Sequence, residues 1–160
     1  MYGGERKNLT GFVDADGASQ EHRHAISGYM FMVDGGAVLW SSKKQELVTL
    51  LTMEAKYMAA THAAKEAIWL HCIMGELFSP LDEPTTLYGD NQSAIALAHG
   101  GQYHARTKHI DIRYHFIRYI IEAGFIYCPT DEQTVDVLTK ALPSVKAKHF
   151  ASAMGLARVV

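Results

Sequence analysis

Four acidic side chains, Asp14, Glu54, Asp90 and Asp136, are spread over more than a hundred positions of this 160-residue chain, each beside an apolar segment. Asp14 follows Leu9-Thr10-Gly11-Phe12-Val13, and Asp90 follows Thr85-Thr86-Leu87-Tyr88-Gly89. Glu54 opens a long stretch of helical period, and Asp136 lies in a shorter one. Carboxylates gathered in a partly dry place repel one another and their pKa values rise. A divalent cation removes that cost by supplying positive charge. If the four acids converge, they predict a metal site, and an all-carboxylate set suits Mg²⁺ better than a soft metal. Taken singly, Glu54 suits the positive end of a helix and Asp90 suits a helix cap. Asp16 is the nearest rival to Asp14, but it lies in the turn Ala15-Asp16-Gly17, whereas Asp14 directly follows the strand.

These acids need a scaffold that carries them to one end. Leu9 to Val13 reads as a buried strand, and Ser27 to Val33 and Ala37 to Trp40 read as two more. Asp34-Gly35-Gly36 between the latter two is a strong hairpin signal. Ser41 to Glu46 reads as a polar exit. Thr52 is a plausible N-cap for a helix from Met53 to about Leu77. Stepping by three and four from Glu54 meets Tyr57, Thr61, Ala64, Ile68 and Cys72, which predicts that Glu54 starts the sheet-facing stripe. Thr85 to Tyr88 is a short strand leading into a helix over 93–98. Two strands ending in Asp and joined through a long helix predict a parallel pair with a right-handed crossover. A second helix runs from Ile110 to Gly124, with Ile110, Tyr114, Ile117 and Ile121 on its inner side. Phe125 to Cys128 is a very short last strand, stopped by Pro129. Thr130 and Gln133 form a capping box for a helix through Asp136 to Leu142, and Ser144 to Met154 is a final helix stopped by Gly155.

Length and a 48% hydrophobic content suffice for one α/β core, so a single domain over 1–160 is expected, with its core over about 9–142 and a C-terminal helix over about 144–154. A net charge of −2 does not exclude nucleic acid, because a local face decides such binding. Cys72 and Cys128 form no CxxC pair, which favours a reducing intracellular setting. The N-terminus lacks a signal-peptide core, and no apolar run reaches the ~18 residues of a membrane span, so no membrane partner is expected. His104, His109, His115 and Cys128 match no common zinc-finger spacing. Trp40 and Trp69 read most simply as core or interface residues.

Five segments in order carry a resemblance: Trp40-Ser41-Ser42-Lys43-Lys44-Gln45, Glu54-Ala55-Lys56-Tyr57, Asp90-Asn91-Gln92-Ser93-Ala94-Ile95-Ala96-Leu97, Arg106-Thr107-Lys108-His109-Ile110-Asp111-Ile112-Arg113-Tyr114-His115, and Asp136-Val137-Leu138-Thr139-Lys140-Ala141-Leu142. With them, the chain from about Leu9 to Leu156 resembles the ribonuclease H domain of copia-type long-terminal-repeat retrotransposon polyproteins. The resemblance implies a ribonuclease H-like α/β fold, a five-stranded mixed sheet of three antiparallel strands then two parallel ones, flanked by helices on both faces. It implies an endoribonuclease that hydrolyses the RNA strand of RNA–DNA hybrids.

Matched one by one, Asp14, Glu54, Asp90 and Asp136 would be the catalytic, metal-holding acids. Two Mg²⁺ ions about 3.5–4 Å apart, or Mn²⁺ in their place, would serve the attacking water and the leaving oxygen. Asp14 would bridge both ions, Glu54 and Asp90 would hold the one at the leaving oxygen, and Asp136 would help place the other. Gln92 would face the minor groove of the hybrid, Asn91 would also contact nucleic acid, and Arg106, Lys108, His109, Arg113 and Arg118 would approach its phosphates. Relative to the family the last strand is shortened, and no His stands between Pro129 and Asp136. No polymerase segment precedes Met1, so the chain reads as a fragment, a mature product or a detached copy. The resemblance also implies a reverse-transcriptase domain as neighbour in the parent polyprotein. The expected location is the cytoplasm, including virus-like particles, with the nucleus as alternative. Two competing readings keep the fold: a DNA-directed two-metal nuclease, and a catalytically weak or idle nucleic-acid-binding or connection module.

Overall fold

Alternation in the first apolar run decides the layers. In β1 (Leu9–Asp16), Leu9, Val13 and Ala15 point to one face and Phe12 to the other, as a period of two requires. The structure is a computed structural model, described here for residues 8–16, 24–46, 52–78, 84–90, 125–129 and 132–156. β2 (Ile26–Val33) pairs antiparallel with β1, and β3 (Gly36–Lys44) pairs antiparallel with β2. The hairpin between them turns at Asp34 and Gly35, both at positive φ (52° and 80°), the twist that matches two-residue hairpins. β4 (Thr86–Gly89) lies parallel to β1, and β5 (Phe125–Tyr127) lies parallel to β4. The order β3-β2-β1-β4-β5 makes β1 the central strand, and the expected five-stranded mixed sheet is observed.

α1 (Thr52–Leu77) covers one face. Its Ala59, Ala63, Ala67, Leu70 and Met74 meet Leu9, Val13, Phe31 and Leu87. The alanines let the helix approach the sheet closely, and the larger buried side chains contribute roughly 1.5–3 kcal/mol each. On the other face, Val135 and Met154 cover Met30, with Phe12, Met32, Ala37, Val137 and Leu138 packed around them. These residues come from around α2 (Asp136–Thr139) and α3 (Ser144–Ala153), so helices flank both faces. Gly155 ends α3 at φ +76°, as a helix C-terminus favours.

Several expectations change. β3 continues through Ser41 to Lys44 where a polar exit was expected, because it is an edge strand and its backbone pairs with β2 as far as Ile26. The stripe begun by Glu54 is buried through Tyr57, Thr61 and Ala64 but not beyond: Ile68 is 42% exposed and Cys72 is exposed. The sheet-facing stripe instead steps through Ala60, Ala63, Ala67, Leu70 and Met74. Counting back four residues from Ala60 reaches Lys56. The helix carrying Asp136 is one turn long and does not reach Leu142, since Lys140 is already extended. Thr130 lies outside the described residues; Gln133, its expected capping partner, donates its side-chain amide to the Val13 carbonyl (3.0 Å) and so anchors the segment to β1. Trp40 and Trp69 are 61% and 52% exposed, which removes both from the core. The helices expected over 93–98 and from Ile110 to Gly124 lie outside the described residues.

Candidate functional site

Parallel pairing puts Val13 opposite Gly89, so Asp14, still within β1, lies beside Asp90 just past the end of β4; β1 runs on to Asp16, paired with Ile26 of β2, where a turn was expected. The turn before α2 hooks onto β1 through Gln133 and delivers Asp136 to the same end. Thr139, at the end of α2, donates its hydroxyl to Asp14 Oδ2 at 2.7 Å. Gly28 faces Asp14 across the β1–β2 ladder, and a Cβ there would come within 2.7 Å of Thr139 Cγ2. A bare glycine lets α2 sit this close.

The cluster is nearly dry: the Asp14, Asp90 and Asp136 side chains are 2%, 8% and 1% exposed. Two ammonium groups lie among them. Lys56 Nζ is 2.6 Å from Asp90 Oδ1 and 3.5 Å from Asp14 Oδ1. Lys140 Nζ is 2.9 Å from Asp136 Oδ1 and 4.0 Å from Asp14 Oδ2. The Lys140–Asp136 contact is an ion pair rather than an aligned hydrogen bond, and among the described residues neither Asp136 oxygen has a hydrogen-bond partner. Burial raises the Asp136 carboxyl above its ordinary value; Lys140 opposes this and Asp14 alongside adds to it. Burial works against the charge of Lys140, but Asp136, with Asp14 and Asp90 beyond, more than offsets it and leaves that ammonium raised. The nearby Cys128 thiol is pushed up by burial and then by Glu132, Asp90 and Asp136, the opposite of nucleophile activation.

Asp14, Asp90 and Asp136 therefore meet around the two ammonium groups. Glu54 is half-buried in the first turn of α1. The side chain α1 presents is Lys56. Gln45 fixes that choice, donating from Nε2 to Ser27 Oγ (2.7 Å) and to the Ala55 carbonyl (2.8 Å), which ties the first turn of α1 to β2. Lys56, Lys140, Thr139 and Gln133 are the site residues that reasoning from acids alone passes over. The alanine stripe leading back to Lys56 is the signal that finds the first of them. Asn91, Gln92, Arg106, Lys108, His109, Arg113 and Arg118 lie outside the described residues.

No protein-family profile matches the chain. It is 42% identical over 159 residues to the retrovirus-related Pol polyprotein from transposon TNT 1-94 of Nicotiana tabacum, covering 97% of this chain and 12% of that protein. It is 34% identical over 160 residues to the corresponding polyprotein from transposon RE1 of Arabidopsis thaliana, covering 98% of this chain and 11% of the relative. The chain thus spans about a tenth of the length of these relatives. Among solved structures, LC11-RNase H1 in complex with an RNA/DNA hybrid superposes with a TM-score of 0.59 at 15% identity, covering 82% of this chain and 94% of that one. The chain is a homologue of one stretch of plant-transposon Pol polyproteins and has the ribonuclease H fold, in agreement with the copia-type resemblance of its motifs.

Proposed function

We propose that this chain is the hybrid-handling ribonuclease H part of a copia-type Pol polyprotein, working beside a reverse-transcriptase domain, and that it holds RNA–DNA hybrids while cleaving them weakly or not at all. Support for the substrate class comes from the fold it shares with a ribonuclease H bound to such a hybrid. Recognition would rest on duplex shape and 2′-hydroxyls, with Asn91, Gln92, Arg106, Lys108, His109 and Arg113 as the proposed contacts.

At an acid cluster of this kind, a pair of Mg²⁺ or Mn²⁺ ions would supply an activated water and a stabilised leaving oxygen. The donor set does not fit that pair. Asp14, Asp90 and Asp136 converge around two ammonium groups, and Asp90 Oδ1 is held by Lys56 at 2.6 Å. This last contact is the observation that carries the reading of a weak or idle module over that of an active nuclease.

Labelled RNA–DNA hybrid, duplex DNA and duplex RNA, each incubated with the chain with and without Mg²⁺, test it. Preferential, salt-sensitive retention of the hybrid with an intact RNA strand is expected. Rapid Mg²⁺-dependent cutting of that strand, or equal retention of all three duplexes, would contradict it.

A further inference from the structure

We propose that the Lys56 ammonium is the resident cation of the acid cluster, standing between Asp14 and Asp90 where a divalent ion would bridge them, so that this chain folds and binds nucleic acid without metal. The inference rests on the weak-cleavage reading above and names the residue responsible for it.

Geometry leaves little room for both charges. Mg²⁺ requires its ligands at about 2.0–2.1 Å in near-octahedral array and gives up its waters reluctantly. Lys56 Nζ already lies 2.6 Å from Asp90 Oδ1 and 3.5 Å from Asp14 Oδ1. A dication bridging them would sit within a few ångströms of the ammonium in a nearly dry space, where like charges repel strongly.

Lys56 also has little freedom to leave. Its side chain is 19% exposed, against 34% for Lys140. Its helix turn is clamped by Gln45, and the alanine stripe beneath holds α1 against the sheet. Lys140 pairs at i,i+4 with Asp136 beside the end of a one-turn helix and keeps a path to solvent, so it is the replaceable partner.

Thermal unfolding of the whole chain, titrated with Mg²⁺ and with Mn²⁺, tests the proposal in wild type, Lys56→Glu and Lys56→Gln. The wild-type midpoint should not move. Lys56→Glu should unfold at lower temperature in chelator and gain about 3–6 °C once the ion reaches about ten times its dissociation constant. Lys56→Gln, which removes the charge without adding a ligand, should fall and recover part of the loss, and it carries the test if Lys56→Glu does not fold in chelator. A wild-type rise as large as that of Lys56→Glu would overturn the proposal, as would a folded Lys56→Glu and Lys56→Gln that ignore both ions. Cleavage of hybrid by the wild type would instead sink the weak-cleavage reading, a separate outcome read in a separate assay.

Discussion

At the residue scale, the cluster is an electrostatic compromise whose members can be weighed singly. Removing Lys56 strands two nearly dry carboxylates, so Lys56→Met should cost about 3 kcal/mol, read from urea unfolding in chelator. Asp136 behaves in the opposite sense. Its carboxyl is raised from an unfolded value of 3.8, chiefly by burial, so the native chain binds that proton more tightly than the unfolded chain does. The resulting stability is fully present below pH 3.8 and is lost as pH rises through the raised value, leaving ionised Asp136 as a cost at neutral pH. Asp136→Asn should therefore be more stable than wild type at pH 7, and its advantage should shrink as pH falls towards 4. Denaturation midpoints measured across that range check the sign; a variant less stable at neutral pH would contradict it. Asp14 and Asp90 were legible in the sequence because the same pattern, an apolar run closed by Asp, occurs twice. Lys56 was not, because a lysine two positions from an acid at a helix start reads as surface charge until the helix's rotation is known.

At the element scale, β1 and the β2–β3 hairpin were readable from alternation and from Asp34-Gly35, and the parallel β1–β4 pair from two strands ending in Asp. The rotation of α1 was not. Its residues are apolar or small on most sides, so stepping from a presumed catalytic Glu54 chose a stripe that is buried only as far as Ala64. β3 was read too short because an edge strand tolerates serines and lysines that a periodicity argument assigns to a loop. Two glycines hold the second layer in place. At Gly28, an added Cβ would lie 2.7 Å from Thr139 Cγ2 and 3.2 Å from Leu138 Cβ, so Gly28→Ala should cost about 1–3 kcal/mol by overpacking and push α2 off Asp14. At Gly155, φ is +76° and a Cβ would meet the Gly35 carbonyl at 2.8 Å, so Gly155→Ala should cost at least about 1 kcal/mol in the same assay.

At the scale of the whole molecule, a fold built to gather acids presents them around lysine ammoniums, and its bearing on hybrids becomes one of binding. Such binding should weaken as salt rises, and Lys108→Ala should lower affinity for all hybrid sequences alike while reducing the slope of log affinity against log salt by about 0.9. A variant with an unchanged slope would remove Lys108 from the phosphate contacts. The most direct measurement is anomalous diffraction from crystals soaked in Mn²⁺, comparing wild type with Lys56→Glu. Wild-type crystals should show lysine density and no manganese peak between Asp14 and Asp90, and the Lys56→Glu crystals should show the peak. Manganese bound between those two acids in the wild type, with Lys56 swung aside, would contradict a resident ammonium.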